Sequence, residues 1–151
     1  DAASRRGLIQ ALGLMRRILP IATLILAWTN AQAVCLSDKP SVAEEVSESK
    51  AVVVGEATGE FQVSDPAKSG GIQATIYVVQ AKEALAGDLL TQPIHVWSDN
   101  DSSRYPMDVG VPNLLFLSLG SDGFWHVDNC GNSGVLDRSN ATYALVRAQR
   151  M

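Results

Sequence analysis

Few side chains in this 151-residue chain are suited to chemistry. The histidines are His95 and His126, and the cysteines are Cys35 and Cys130. A metal centre needs three or more converging ligands at defined geometry. His95, His126 and Asp128 are the set that would serve a metal-dependent hydrolase. Lone histidines on different strands are more often surface or satisfied core residues, so we expect no metal and no cofactor. Asp99-x-Asp101-x-Ser103 resembles the start of a calcium loop. Its sixth position is Arg104, where the sharp turn needs glycine, and its twelfth is Gly110, where a bidentate Glu is needed. A solvated loop is the better reading. Nucleophilic catalysis requires a Ser or Cys beside an oriented base. Gly131-Asn132-Ser133-Gly134 supplies a serine, but without the Gly-x-Ser-x-Gly elbow. With Cys130 oxidised and no nucleotide-binding glycine motif present, we expect a protein that is not an enzyme.

Trp97, Trp125, Tyr77 and Tyr105 form a candidate ligand-facing aromatic patch, with burial of Trp97 and Trp125 in a core as the preferred reading. Asn140-Ala141-Thr142 is a glycosylation sequon that would matter only in a eukaryotic host.

Positioning these groups is the task of a small β-rich domain. Lys39-Pro40-Ser41-Val42-Ala43-Glu44 is a helix start: Ser41 is the N-cap, and Glu44 completes a capping box. About two helical turns follow, ended by Ser49-Lys50. Residues 51–58 are β-branched and apolar, the mark of a buried strand, with Gly55 signalling a bulge. The polar stretch 64–71 is a turn. Residues 72–81 form a second strand, 82–88 a connecting turn, and 93–98 a third strand. A long polar loop over 99–110 leads to a fourth strand at 113–119. Ser121-Asp122-Gly123 then turns the chain into a fifth, over 124–128, and residues 139–147 have helical potential. Five short strands with flanking helices predict a mainly β fold, a five-stranded Greek-key OB-type barrel.

The first 33 residues stand apart from that domain. Arg16-Arg17 precede an apolar run over residues 18–28, and Ala31-Gln32-Ala33 follows, the layout of a secretory signal peptide. The run is short for a membrane span, which takes about 20 apolar residues. Met15 directly precedes the basic pair, so residues 1–14 read as upstream sequence from a misplaced start. Ser4-Arg5-Arg6-Gly7-Leu8 offers a twin-arginine alternative, disfavoured because Arg16-Arg17 would interrupt its hydrophobic region. Gln32-Ala33-Val34 lacks the small residue expected before a lipidated cysteine. Cleavage after Ala33 gives one domain over residues 34–151, secreted or periplasmic, with no stable membrane span. That span holds eight Lys and Arg against fifteen carboxylates, a net charge near −7. Such a surface repels phosphate backbones, so nucleic acid is excluded as a partner class. In an oxidising compartment a single Cys35–Cys130 disulfide is the default.

Taken in order, these pieces resemble the netrin-like domain of the tissue inhibitors of metalloproteinases, in its bacterial secreted form. The matching residues are Cys35, Pro40-Ser41-Val42, Val52-Val53-Val54-Gly55-Glu56, the strand 74–79 running into Leu85-Ala86-Gly87-Asp88, the strand entry 110–117, and Trp125-His126-Val127-Asp128-Asn129-Cys130-Gly131. The resemblance covers nearly all of residues 34–151. It implies an OB-fold barrel with its N-terminus tied to the late strand by the disulfide. It also implies a non-catalytic module that contacts a protein partner through an N-terminal ridge of Val34, Cys35, Leu36 and Ser37, and the partner class it suggests is a secreted metalloprotease. Inhibitors of that family begin with a cysteine whose free amine and carbonyl reach the protease zinc, and they carry Cys-x-Cys with several disulfides. Here Val34 precedes Cys35 and only one bridge can form. The alternatives are the extracytoplasmic hydrolase using His95, His126 and Asp128, and a purely structural envelope domain.

Overall fold

A computed structural model describes Cys35, residues 38–87 and residues 93–149. The expected signal segment therefore lies outside the described residues, as do Val34, Leu36 and Ser37. The element order is α1 (Val42–Glu48), β1 (Ala51–Ser64), β2 (Ile72–Ala86), β3 (Ile94–Asp99), β4 (Pro112–Leu119), β5 (Trp125–His126), β6 (Gly134–Val135), a 3-10 turn (Leu136–Ser139) and α2 (Asn140–Ala148).

The sheet closes on itself. β1 pairs with β2, β2 with β3, β3 with β5, β5 with β4, and β4 returns to β1. All of these pairings are antiparallel except β3–β5, which is parallel. β6 adds to the other side of β4 through Asn113↔Val135 and Leu114↔Gly134.

The uninterrupted apolar run of β1 now has a physical cause, because this strand is buried on both faces. Ala51, Val53 and Ala57 point into the ring with Tyr77, Val79, Val96, Leu115 and Leu117. Val52 and Val54 point outward, where Leu85, Leu114, Phe116 and Val146 pack with them and with Val42 and Val46 of α1 and Tyr143 of α2. The two helices thus cover one outer flank of the ring. Burying each large aliphatic side chain stabilises the fold by about 1.5–3 kcal/mol. Gly55 is required at its place, since a Cβ there would lie 2.8 Å from Val79 Cγ1.

Four boundaries differ from the sequence reading. β1 runs six residues beyond Thr58, to Ser64, paired in that part with β2 alone. This extension carries polar and exposed side chains around Phe61, so hydrophobicity does not mark it. β2 continues through Ala86, where a turn was expected at 82–88, because Val52↔Ala86 and Val53↔Ala84 keep it paired with β1. Gly87, with φ of +72°, ends the strand. β5 is reduced to Trp125–His126 rather than 124–128. At the chain's end a 3-10 turn, Leu136–Ser139, precedes the expected helix. The long polar loop is not wholly solvated either, because Tyr105 and Met107 fold back into the ring interior.

Candidate functional site: the N-terminal anchor and its neighbours

The anchor is built from a short helix and a tight loop. Ser41 Oγ accepts the Glu44 N–H at 3.2 Å and fixes the start of α1. The Glu44 carboxylate makes no return bond among the described residues, so half of the expected capping box forms. Ser49 closes the helix, donating both its N–H and its hydroxyl to the Glu45 carbonyl. One residue after Glu44, Glu45 turns inward and is only 8 % exposed.

The facing loop follows β5. Asp128 Oδ1 accepts the Cys130 N–H at 2.8 Å, and the Asp128 carbonyl accepts the Gly131 N–H. This turn presents Cys130, which is bonded to Cys35 with their Cα atoms 5.7 Å apart. The next residues form a second connection. Asn132 donates its backbone N–H to Glu45 Oε2 at 2.7 Å and its side-chain Nδ2 to the same oxygen at 2.6 Å. Nδ2 also donates to the Pro40 carbonyl at 3.0 Å. A buried carboxylate is tolerable only when hydrogen-bonded in this way. Gly131 makes the approach feasible: a Cβ there would overlap Glu45 Oε1. Ser133 Oγ then accepts the Phe116 N–H at 2.9 Å, which ties the loop to β4. Cys35 is therefore held by a covalent bond, and Pro40 and Glu45 by a three-bond polar latch. Of the four expected ridge residues, Cys35 is the one described, and it is exposed.

The expected catalytic alternatives are dispersed. His126 Nε2 lies 3.2 Å from Asp122 Oδ2 across the β4–β5 turn. The Asp122 carboxyl is held below its ordinary value, chiefly by the Phe124 N–H on Oδ1 and secondarily by His126. His95 is exposed on β3 and stands edge-on to Phe61, ring centroids 6.3 Å apart. Asp128 shapes the cysteine turn. The structure therefore does not bring His95, His126 and Asp128 together, and no group of three or more His, Cys, Asp or Glu suited to a metal occurs among the described residues.

In the long loop, Asp101 Oδ1 accepts the Ser103 hydroxyl at 2.6 Å and its N–H at 2.7 Å, and these two bonds hold the carboxyl low. Asp99 accepts the Trp97 indole N–H at 2.8 Å. Both carboxylates of the calcium-like motif thus serve their own neighbourhood.

The aromatic set divides. Tyr77 and Tyr105 belong to the ring interior, so the four aromatics do not form one ligand-facing patch, and Trp125 packs against the same cluster. Burial pushes the Tyr105 phenol well above the ordinary tyrosine range. Trp97 instead pairs with Phe124, ring centroids 5.2 Å apart.

One concavity of about 470 Å³ opens beside the anchor, between the long loop and the segment carrying β6 and the 3-10 turn. Tyr105, Pro106, Asp108 and Asn113 form one side of it, and Asn129, Val135, Arg138 and Ser139 stand on the other. Apart from Tyr105, which belongs to the candidate aromatic set, no motif in the sequence marks these residues, which come from four separate stretches. The Glu45–Asn132 latch was equally hidden, since its partners are 87 positions apart.

Against known proteins, no protein-family model matches the chain and no curated protein matches it.

Proposed function

We propose that this chain is an exported, non-catalytic binding module with a netrin-like OB fold, and that it engages a protein partner through the ridge Val34, Cys35, Leu36 and Ser37. The observation that carries the reading is the double fixation at Cys130 and Asn132. Cys35 is bonded to Cys130, and Pro40 and Glu45 are hydrogen-bonded to Asn132; fixed anchor points of this kind lower the ordering cost of a binding segment. The closed strand order β1-β2-β3-β5-β4, with β3 and β5 parallel, supports the OB assignment. No helix among the described residues is long and apolar enough to cross a membrane, which is in keeping with an exported module, as is the disulfide.

A secreted zinc metalloprotease is the partner class that the resemblance suggests. Its mechanism requires Cys35 to carry the free amine, so the residue at the mature terminus decides it. N-terminal sequencing and intact mass of the exported protein, with and without reduction, define that terminus and the bridge together. Two preparations, one starting at Val34 and one at Cys35, are then assayed against an HExxH-type metalloprotease. We expect the Cys35 form to inhibit and the Val34 form to inhibit far less. Failure of both to bind the protease removes the inhibitory reading.

A further inference from the structure

The concavity beside the anchor carries two opposite charges that the protein itself leaves unused. Asp108 and Arg138 both line it. Neither side chain is ion-paired or hydrogen-bonded among the described residues, and they do not pair with each other. The side chains of Asn129 and Ser139 are likewise uncommitted among the described residues. Gly134 keeps the Ser139 hydroxyl in the wall, since a Cβ at that position would lie 2.7 Å from Ser139 Oγ.

Below them lies a hydrogen-bonded floor. Asn113 is 2 % exposed, accepts the Tyr105 hydroxyl on Oδ1 at 3.3 Å, and donates Nδ2 to the Val111 carbonyl at 2.8 Å. A carboxamide has two N–H groups, so one remains for a ligand. A volume of about 470 Å³ falls in the range of small-molecule sites.

The charge pattern selects among ligand classes. An anion drawn to Arg138 meets Asp108, and a cation drawn to Asp108 meets Arg138. A neutral sugar uses neither charge. A molecule carrying both an ammonium and a carboxylate satisfies both, and a planar guanidinium suits a carboxylate in particular. We propose that this concavity binds a small zwitterion, a free α-amino acid or a dipeptide. The carboxylate sits on Arg138 and Ser139 and the ammonium on Asp108; in a dipeptide, the peptide group meets the Asn113 and Asn129 amides. The proposal rests on none of the ridge residues and stands whether or not the ridge binds a protein.

Backbone amide NMR of the protein titrated with alanine, alanyl-alanine and N-acetyl-alanyl-alanine amide tests the assignment. We expect saturable shifts confined to the residues named here, with a dissociation constant on the order of 1 mM or tighter, for alanine or alanyl-alanine. Whichever of the two binds more tightly identifies the ligand length. The doubly blocked peptide, which lacks both charges, should not saturate. Arg138→Ala and Asp108→Asn should each weaken binding about tenfold, the loss of roughly 1.4 kcal/mol. Both side chains are exposed, so these variants should melt like the parent. Absence of saturable shifts with both zwitterions overturns the proposal, and so does equal binding of the blocked peptide or unchanged affinity in the two variants.

Discussion

Replacing Asn132 by alanine should be among the most damaging polar-to-alanine changes in the domain. The substitution deletes Nδ2 and with it the bonds to Glu45 Oε2 and to the Pro40 carbonyl, while the backbone N–H to Glu45 remains. A hydrogen bond to a charged group contributes about 1.5–3 kcal/mol and a neutral one about 1 kcal/mol. The expected loss is therefore about 3 kcal/mol, with the buried Glu45 carboxylate left half-satisfied. For a domain of this size, with a urea m-value near 1.5 kcal/mol/M, the unfolding midpoint falls by about 2 M. Equilibrium urea unfolding followed by tryptophan fluorescence reads this directly. Asn132→Asp supplies an internal control of sign: it sets a second carboxylate against Glu45 and should destabilise the domain at neutral pH at least as much as the alanine variant, because like charges repel. A midpoint shift below about 0.5 M for the alanine variant, which is under 1 kcal/mol at that m-value, would show that the latch is not what holds the segment.

Three further outcomes follow from the same geometry. Gly131→Ala drives a methyl group into Glu45 Oε1, and a fall of about 2–3 kcal/mol in unfolding free energy is expected, within the range of buried overpacking. Removing both cysteines (Cys35→Ser with Cys130→Ser) opens a link between residues 95 apart. The chain-entropy model puts the cost at about 4–5 kcal/mol, to be read by denaturant unfolding of the double variant against the oxidised parent; a cost under about 1 kcal/mol would refute the entropic account. His126→Ala should leave most of the Asp122 depression in place, because the Phe124 N–H contributes more than the imidazole. The Asp122 carboxyl followed by NMR should still titrate below 3.8 in that variant. A return to the ordinary value would give His126 the leading role. The lowered pKa means that whatever stability Asp122 contributes is present above its unfolded value and is lost as pH falls through the folded one.

Local signals decide the structure where a single residue type has a single use. Ser41 caps the helix because a hydroxyl at that position can accept an orphan N–H. Ser121-Asp122-Gly123 turns the chain, with Gly123 at a φ of +82°. Two cysteines admit one pairing, and the bond between Cys35 and Cys130 is present. The apolar runs at 51–54 and 114–117 announced buried strands, since a continuous run suits a strand covered on both faces.

Other features were decided only when distant segments met. β1 and β2 extend past their hydrophobic stretches because each supplies the other's ladder partner, which depends on register rather than on side-chain type. Tyr105 and Met107 sit in a polar stretch, and nothing local says that they turn inward to fill the ring. Glu44 had the spacing for a capping box, but Glu45 became the buried acid once Asn132 faced it. The concavity between Asp108 and Arg138 is likewise made of residues that only the return of β6 onto β4 brings together. The Ser41 cap, the Ser121–Gly123 turn and the pairing of two cysteines are short-range or combinatorially unique, so sequence alone determined them. The latch and the unpaired charges depend on which surfaces the ring apposes, and tertiary structure alone fixes that.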